Sequence, residues 1–205
     1  MEAALYRVHE IFESVQFEGA NYGSWSLFVR FFGCNLRCKN CDTPQKTAPL
    51  VMTLEQLKER VGISRAPLLI LTGGEPTLQD LKPLVLSTKK LIAVETNGTR
   101  GAALKCLKEA RANTWITFSP KQVKDWPKRY ADAFACCDEI KVVYGVVDSA
   151  LINYCEQTAR ARGIPLFVQP LEVGGKTNLL KVVEFITAHP LWRLSIQVHK
   201  LLGMR

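Results

Sequence analysis

Short, almost wholly apolar stretches alternate with longer stretches that carry apolar residues at helical spacing, and this alternation constrains the fold most. Leu68-Leu69-Ile70-Leu71 is the clearest apolar stretch. Parallel strands that are buried on both faces have such uninterrupted runs, whereas half-exposed strands alternate. The pattern therefore predicts an α/β fold of βαβ units with right-handed crossovers. The predicted strands are residues 24–32, 67–72, 91–96, 115–119, 139–144, 165–170 and 194–198, and the predicted helices are 53–61, 78–89, 102–112, 149–162 and 177–188.

The length of the chain limits how many such units it holds. A closed eight-unit barrel typically needs ~250 residues, and this chain has 205. No linker, low-complexity tract or repeat divides it, so we predict an incomplete barrel in a compact single domain over residues 1–205. Active sites of such folds lie at the C-terminal ends of the strands. Polar residues and glycines cluster there, which predicts one shared site: residues 72–75, 95–98, 119–121, 169–172 and His199.

Composition excludes several classes of partner. The chain has 27 basic and 19 acidic residues, a net charge of +8, which favours anionic partners. The basic residues are scattered rather than clustered, so we expect no direct binding of nucleic acid. No apolar run approaches the ~20 residues of a membrane span, and residues 1–7 lack the apolar segment of a signal peptide. The expected location is cytoplasmic.

Three cysteines, Cys34, Cys38 and Cys41, lie close together after the first long predicted strand. Thiolates are soft ligands that suit zinc or an iron–sulfur cluster. A structural zinc site needs a fourth ligand, and no other Cys or His has a finger-like spacing to this loop. Three cysteines can instead hold three irons of a [4Fe–4S] cluster and leave the fourth iron open. The spacing favours the open cluster over zinc or a chance arrangement, although it does not eliminate them.

Two motifs resemble those of radical S-adenosylmethionine (SAM) enzymes. The cysteines have the Cys-x3-Cys-x2-Cys spacing of that superfamily's cluster loop, and Thr72-Gly73-Gly74-Glu75-Pro76 is similar to its GGE motif. A narrower resemblance, to 7-carboxy-7-deazaguanine synthases, covers nearly the whole chain. It implies a partial (β/α)6 barrel of the radical SAM type with the cluster loop at residues 33–43. Its matching segments are residues 11–19, 28–30, 33–38, 41–43, 71–76, 95–99, 119–121 and 194–200.

The narrower resemblance also implies an activity. That family converts 6-carboxy-5,6,7,8-tetrahydropterin to 7-carboxy-7-deazaguanine with loss of ammonia, in queuosine biosynthesis, using a [4Fe–4S] cluster, SAM and Mg²⁺. The chain is then a radical SAM carbon–nitrogen lyase, and we expect a homodimer with a flavodoxin-like reductant. One alternative is a radical-activating enzyme that acts on a glycine of a partner protein, for which Gln16, Glu18, Arg30 and the His199 ending are not required. A second alternative, a non-catalytic zinc- or tRNA-binding module, lacks a fourth ligand and a basic–aromatic patch.

The resemblance further implies roles for individual residues. Cys34, Cys38 and Cys41 would hold the cluster, and the Thr43 hydroxyl would contact Mg²⁺. The implied SAM-binding residues are Asn40, Asp42, Gly74, Ser119, Pro120, Lys121, Gln169 and Glu172. The implied substrate-binding residues are Val15, Gln16, Phe17, Glu18, Arg30, Thr72, His199 and Arg205.

The chemistry of the charged side chains supports two of these roles, and the sequence departs from the family pattern at two positions. Arg30 would pair with the substrate carboxylate, because a guanidinium binds carboxylates with two parallel hydrogen bonds, and Glu18 would accept N–H groups from the guanidine-like pterin edge. Phe17 stands where the family has glycine, so the chain must avoid a positive φ there or tolerate strain. Its ring would stack on the pterin or pack inward. Asn40 replaces a usual aromatic residue, so any contact with adenine there would be polar or through the backbone.

Overall fold

The computed structural model describes residues 5–41 and 48–204, most of which belong to one nine-stranded sheet or to the helices around it. Asp42, Thr43 and Arg205 lie outside the described residues. The strands are β1 (Leu5–Val15), β2 (Trp25–Phe31), β3 (Leu50–Thr53), β4 (Leu68–Gly73), β5 (Leu91–Thr96), β6 (Trp115–Phe118), β7 (Glu139–Val143), β8 (Leu166–Gln169), β9 (Glu172–Val173), β10 (Lys176–Thr177) and β11 (Trp192–Leu194).

The pairing of the strands confirms the predicted partial barrel. The order across the sheet is β11-β8-β7-β6-β5-β4-β2-β1-β3. In this order, every neighbouring pair on the side from β11 to β2 is parallel. Strand β1 is antiparallel to both of its neighbours, β2 and β3. Six parallel strands, β2 and β4 to β8, thus form the barrel and β11 extends it. The short strands β9 and β10 pair as a separate hairpin.

Helices connect the parallel strands, and their ends follow local sequence signals. They are α1 (Leu54–Ile63), α2 (Lys82–Ser87), α3 (Gly101–Ala110), α4 (Trp126–Arg129), α5 (Ala131–Cys136), α6 (Ser149–Arg162), α7 (Leu179–Ala188) and α8 (Val198–Leu202), with 3-10 turns at Gly19–Asn21 and Pro76–Leu78. Thr53 and Gln56 form a reciprocal capping box at the start of α1. Gly163 ends α6 in the left-handed conformation, with φ of 65°. No helix among these described residues has the length and hydropathy of a membrane span.

The structure corrects two of the predicted elements and adds a long strand that was not predicted. Residues 194–198 do not form a strand: β11 ends at Leu194 and α8 begins at Val198. The helix predicted over 78–89 is shorter, because a 3-10 turn occupies Pro76–Leu78 and α2 begins only at Lys82. The long strand β1 was not predicted at all, because it alternates between buried and partly exposed positions rather than forming an apolar run.

The two faces of the sheet have different chemistry. Leu69 and Leu71 belong to a large apolar cluster under α1 and α2. Leu68 and Ile70, which alternate with them, belong to a small cluster with Phe28 and Ala93 on the other face. Successive residues of a strand point to opposite faces, so the second cluster is the floor of the barrel interior. The functional residues lie just beyond it along the strands.

Candidate functional site

The inner face of the sheet changes from apolar to polar two residues beyond the floor. Arg30 and Thr72 follow Phe28 and Ile70 at a spacing of two, and they are neighbours across β2 and β4. Glu95 lies beside Thr117 on the next strands. Since the carboxyl ends of parallel strands meet at one edge, these residues form a polar wall.

This wall borders a cavity of about 780 Å³, a volume suited to a small-molecule ligand. Pro120 and Phe17 are not among the residues that line it. The sequence-predicted site residues that do line it are Cys34, Cys38, Cys41, Asn40, Gly74, Ser119, Lys121, Gln169, Glu172, Val15, Gln16, Glu18, Arg30, Thr72 and His199. The structure thus brings together most of the assigned residues that it describes.

The cluster loop forms one wall of the cavity. Cys34, Cys38 and Cys41 form no disulfide bond within the described residues, and the Asn97 amide nitrogen lies 3.9 Å from the Cys34 sulfur. Burial, together with the nearby Glu75 carboxylate, raises the pKa of the Cys34 thiol. Within the described ranges, no group of three or more His, Cys, Asp or Glu side chains is gathered closely enough to hold a metal ion. The loop nevertheless supplies three soft ligands at the cavity wall, with an amide donor beside one sulfur, and this donor set fits the chemistry of a [4Fe–4S] cluster with three protein ligands.

The first glycine of the GGE motif, Gly73, is required for a steric reason. Gly73 has φ of 139°, and a Cβ atom there would lie 2.2 Å from the backbone oxygen of Phe31. The amides of Gly74 and Glu75 donate to the backbone oxygens of Phe31 and Gly33, at 3.2 and 2.8 Å. Only glycine permits this approach. The end of β4 is thereby fixed against the start of the cluster loop.

The Glu75 side chain stabilises the fold of this motif through buried hydrogen bonds. Its side chain is fully buried, and it accepts hydrogen bonds from the Thr96 hydroxyl and the Asn97 amide, each at 2.7 Å. It also accepts from the amide and hydroxyl of Thr77. Burial raises the pKa of Glu75, although these hydrogen bonds oppose the rise. The carboxylate therefore joins the C-terminal ends of β4 and β5, from which Asn97 reaches the cluster loop.

A buried tyrosine positions the loop after β6. The Tyr130 hydroxyl accepts from the Lys121 amide at 3.1 Å and donates to the Lys121 carbonyl at 2.9 Å. Burial raises its pKa to about 12. The Lys121 ammonium donates to the Ser119 hydroxyl at 2.7 Å, and Pro120 is buried between them. Sequence reasoning missed Tyr130, because nothing in its local sequence links it to residues 119–121.

Glu95 binds the side chains of two residues that the sequence assigned to the substrate. One of its oxygens accepts from the Gln16 amide at 2.9 Å and the other from the Thr72 hydroxyl at 2.8 Å. The Gln16 side-chain oxygen in turn accepts from the Glu18 backbone amide at 3.1 Å. Gln16 is 7% exposed, so its amide bridges β5 to the loop after β1.

Two side chains that sequence reasoning did not assign to the site bind the Glu18 carboxylate. It forms an ion pair with Lys141 on β7 and accepts from the Gln197 amide at 2.9 Å. Nearby, the Glu139 carboxylate accepts from the Thr117 hydroxyl at 2.7 Å and the Ala20 amide at 2.8 Å. A lysine between the apolar Ile140 and Val142 of β7 was the available signal for Lys141.

Known proteins are similar to this chain over nearly its whole length. Residues 28–147 match the model of the radical SAM superfamily. A 7-carboxy-7-deazaguanine synthase of Bacteroides thetaiotaomicron is 36% identical over 203 residues, which cover 97% of this chain and 98% of the relative. The chain belongs to the 7-carboxy-7-deazaguanine synthase family.

Further comparisons agree with this membership. The 7-carboxy-7-deazaguanine synthase of Haemophilus influenzae is 33% identical over 214 residues, with 97% of this chain and 94% of the relative covered. The crystal structure of QueE from Escherichia coli superposes with a TM-score of 0.70 and 24% identity, covering 94% of each chain. The latter likeness supports the fold.

Contacts with two neighbouring side chains hold the Arg30 guanidinium in place. Its Nε atom donates to Glu10 at 2.8 Å, and its guanidinium carbon lies 5.8 Å from the centre of the Phe12 ring. Phe12 stacks in turn on Phe28. These contacts hold the guanidinium at the cavity wall.

Phe17 does not pack inward. Its ring packs edge-on against the exposed Tyr22, with centroids 5.7 Å apart, so it is neither on the cavity wall nor in the core. Among the described residues other than glycine, Asp125 alone has a positive φ. Phe17 therefore avoids the backbone conformation that its side chain would disfavour. Its assignment to the substrate stays a prediction.

Proposed function

We propose that this protein is a 7-carboxy-7-deazaguanine synthase, a radical SAM lyase that contracts the ring of 6-carboxy-5,6,7,8-tetrahydropterin with loss of ammonia. One observation carries the proposal: a single cavity joins the three cluster cysteines to Arg30, Thr72 and the Glu18 loop. Anaerobic incubation with SAM, dithionite and the pterin, read by mass spectrometry, tests it. We expect 7-carboxy-7-deazaguanine and ammonia, and their absence from cluster-loaded protein would contradict the proposal.

Different residues of the cavity would bind the two ligands, SAM and the substrate. The cluster and SAM, when bound, supply the radical that takes a hydrogen atom from the substrate. Ser119, Lys121 and the glycines after β4 would hold SAM, with Gln169 and Glu172 at the same rim. Arg30 would bind the substrate carboxylate and Glu18 the N–H groups at the other end. Between them, the walls exclude water from the reacting carbon atoms.

The size of the site supports this proposal over a glycine radical-activating enzyme. A cavity of about 780 Å³ with an internal polar wall suits a small ligand. We also propose a flavodoxin-like reductant, a homodimer and a cytoplasmic location. The exposed Arg37 and Lys39 on the cluster loop support docking of an acidic reductant. Reduction of the cluster by a flavodoxin, with and without added salt, tests that docking.

Replacing Arg30 with alanine is expected to impair turnover of the pterin far more than cleavage of SAM. Removing one partner of a buried charge pair typically costs about 2–5 kcal/mol of binding, so kcat/KM for the pterin should fall by roughly 30-fold or more. Substrate-independent formation of 5′-deoxyadenosine is the control measurement. If both activities fell equally, Arg30 would support the fold or the cluster instead.

Magnesium is a separate proposal that depends on Thr43. A single hydroxyl is a poor Mg²⁺ site, because the ion prefers six oxygens, so the substrate and water would supply the rest. Mg²⁺ and substrate should then tighten each other's binding equally. We expect Thr43→Ala to remove most of the stimulation by Mg²⁺ and Thr43→Ser to keep it. Identical Mg²⁺ affinity with and without substrate would contradict the shared site.

A further inference from the structure

Lys141 is a buried cation in the wall of the cavity. It is the third residue of β7, is 7% exposed, and lies between Ile140 and Val142, which are fully buried. A charged side chain taken out of water is costly unless it is paired. Its ion pair with the Glu18 carboxylate therefore offsets the free-energy cost of burying the ammonium group.

The charges around Lys141 favour its ammonium form. Burial alone lowers the pKa of a lysine, but the carboxylates of Glu18, Glu95 and Glu139 outweigh this effect, so the pKa of Lys141 lies above its ordinary value. These carboxylates come from three separate elements: the loop after β1, β5 and β7. The ammonium is the shared counter-ion of an acidic cluster that would otherwise repel itself.

The loop that carries Glu18 is held from several sides. Lys141 binds one oxygen of the Glu18 carboxylate and Gln197 binds the other. Two residues later, the Ala20 amide donates to Glu139, and a Cβ atom on the intervening Gly19 would lie 2.3 Å from a Glu139 oxygen. The loop therefore fits closely against β7, and Lys141 fixes its functional carboxylate.

We propose that Lys141 is a positioning residue that aims Glu18 at the cavity and so selects substrates with adjacent N–H donors on a guanidine-like edge. This inference rests on the proposed function. Lys141 acts through Glu18: the held carboxylate accepts from N–H groups and repels a carbonyl oxygen at the same place. The predicted specificity is for an aminopyrimidinone edge over its dioxo counterpart.

The main test compares Lys141→Met with Lys181→Met, which alters an exposed lysine on α7. With cluster- and SAM-loaded protein, the dissociation constants of 6-carboxytetrahydropterin and its 2-oxo analogue are measured, together with substrate-independent SAM cleavage. We expect Lys141→Met to weaken pterin binding by about 30-fold or more and to reduce discrimination between the two compounds. SAM cleavage should change less than twofold. Unchanged discrimination in a folded Lys141→Met protein would overturn the proposal.

A second comparison tests the proposal even if the Lys141→Met protein does not fold. Glu18→Gln and the double variant Glu18→Gln/Lys141→Met are compared, because the double variant leaves no Glu18 charge unpaired. If Lys141 acts only through Glu18, the second substitution should add less than twofold to the loss of pterin binding. A large additional loss would overturn the inference. Wild-type protein that cleaves SAM but binds no pterin would instead overturn the proposed function, and this inference with it.

Discussion

Replacing Cys34, Cys38 or Cys41 with alanine is expected to remove the iron–sulfur cluster and abolish SAM cleavage. All three thiols lie on one wall of the cavity, and a three-ligand cluster leaves no redundant ligand. The expected loss is complete for each single variant. Iron content after anaerobic reconstitution and formation of 5′-deoxyadenosine are the measurements.

Cys106→Ala is the matched control for these variants. Cys106 is a free, partly exposed thiol, but it lies on α3. We expect its replacement to leave iron content and SAM cleavage unchanged. Loss of the cluster from Cys106→Ala alone would contradict the assignment of an open, three-cysteine site.

Glu75→Ala is expected to destabilise the protein by roughly 3–5 kcal/mol. The substitution leaves buried donors on Thr77, Thr96 and Asn97 without an acceptor, and each unsatisfied buried group costs about 1–3 kcal/mol. The cost of burying the carboxylate, which raises the Glu75 pKa, offsets part of this loss. Urea unfolding of the reconstituted protein measures the effect as a lower midpoint.

Two further variants show whether the hydrogen bonds of Glu75 are the cause. Glu75→Gln keeps the volume and one acceptor oxygen, so its loss should be smaller than that of Glu75→Ala. Glu55→Ala removes an exposed glutamate from α1 and should change stability by less than about 0.5 kcal/mol. Equal stability of Glu75→Ala and wild type would mean that the four hydrogen bonds contribute nothing net.

The sequence predicted the parallel strands well because their burial on both faces leaves a continuous apolar run. Residues 91–96 and 149–162 were predicted with the same bounds that β5 and α6 have. Strand β1 lacked that signal, because it forms an antiparallel pair with β2 and is only partly buried. At the other end of the chain, Ile196 and Val198 are apolar enough to suggest a strand, yet the chain turns after Ser195 and enters α8.

The sequence predicted residues that line the cavity better than the residues that hold them in place. Cys34, Arg30 and Thr72 lie in or beside motifs whose chemistry is recognisable locally. Lys141 and Tyr130 act on segments to which no motif connects them. The close contact of Gly73 with Phe31 likewise depends on how β2 and β4 pair. Such roles depend on contacts between distant parts of the folded chain, and a local sequence pattern does not predict these contacts.

The anchoring of the Glu18 loop has a consequence for the order of folding. Glu18 and Gln197 are 179 positions apart in the chain, and Gly19 and Ser195 are 176 apart. Contacts between distant positions form slowly, because chain entropy must be lost before they contribute. The pairing of β4 with β5 spans far fewer residues. We therefore expect the part of the cavity wall on β4 and β5 to form first, and the Glu18 loop to be fixed only when residues 195–197 pack against it.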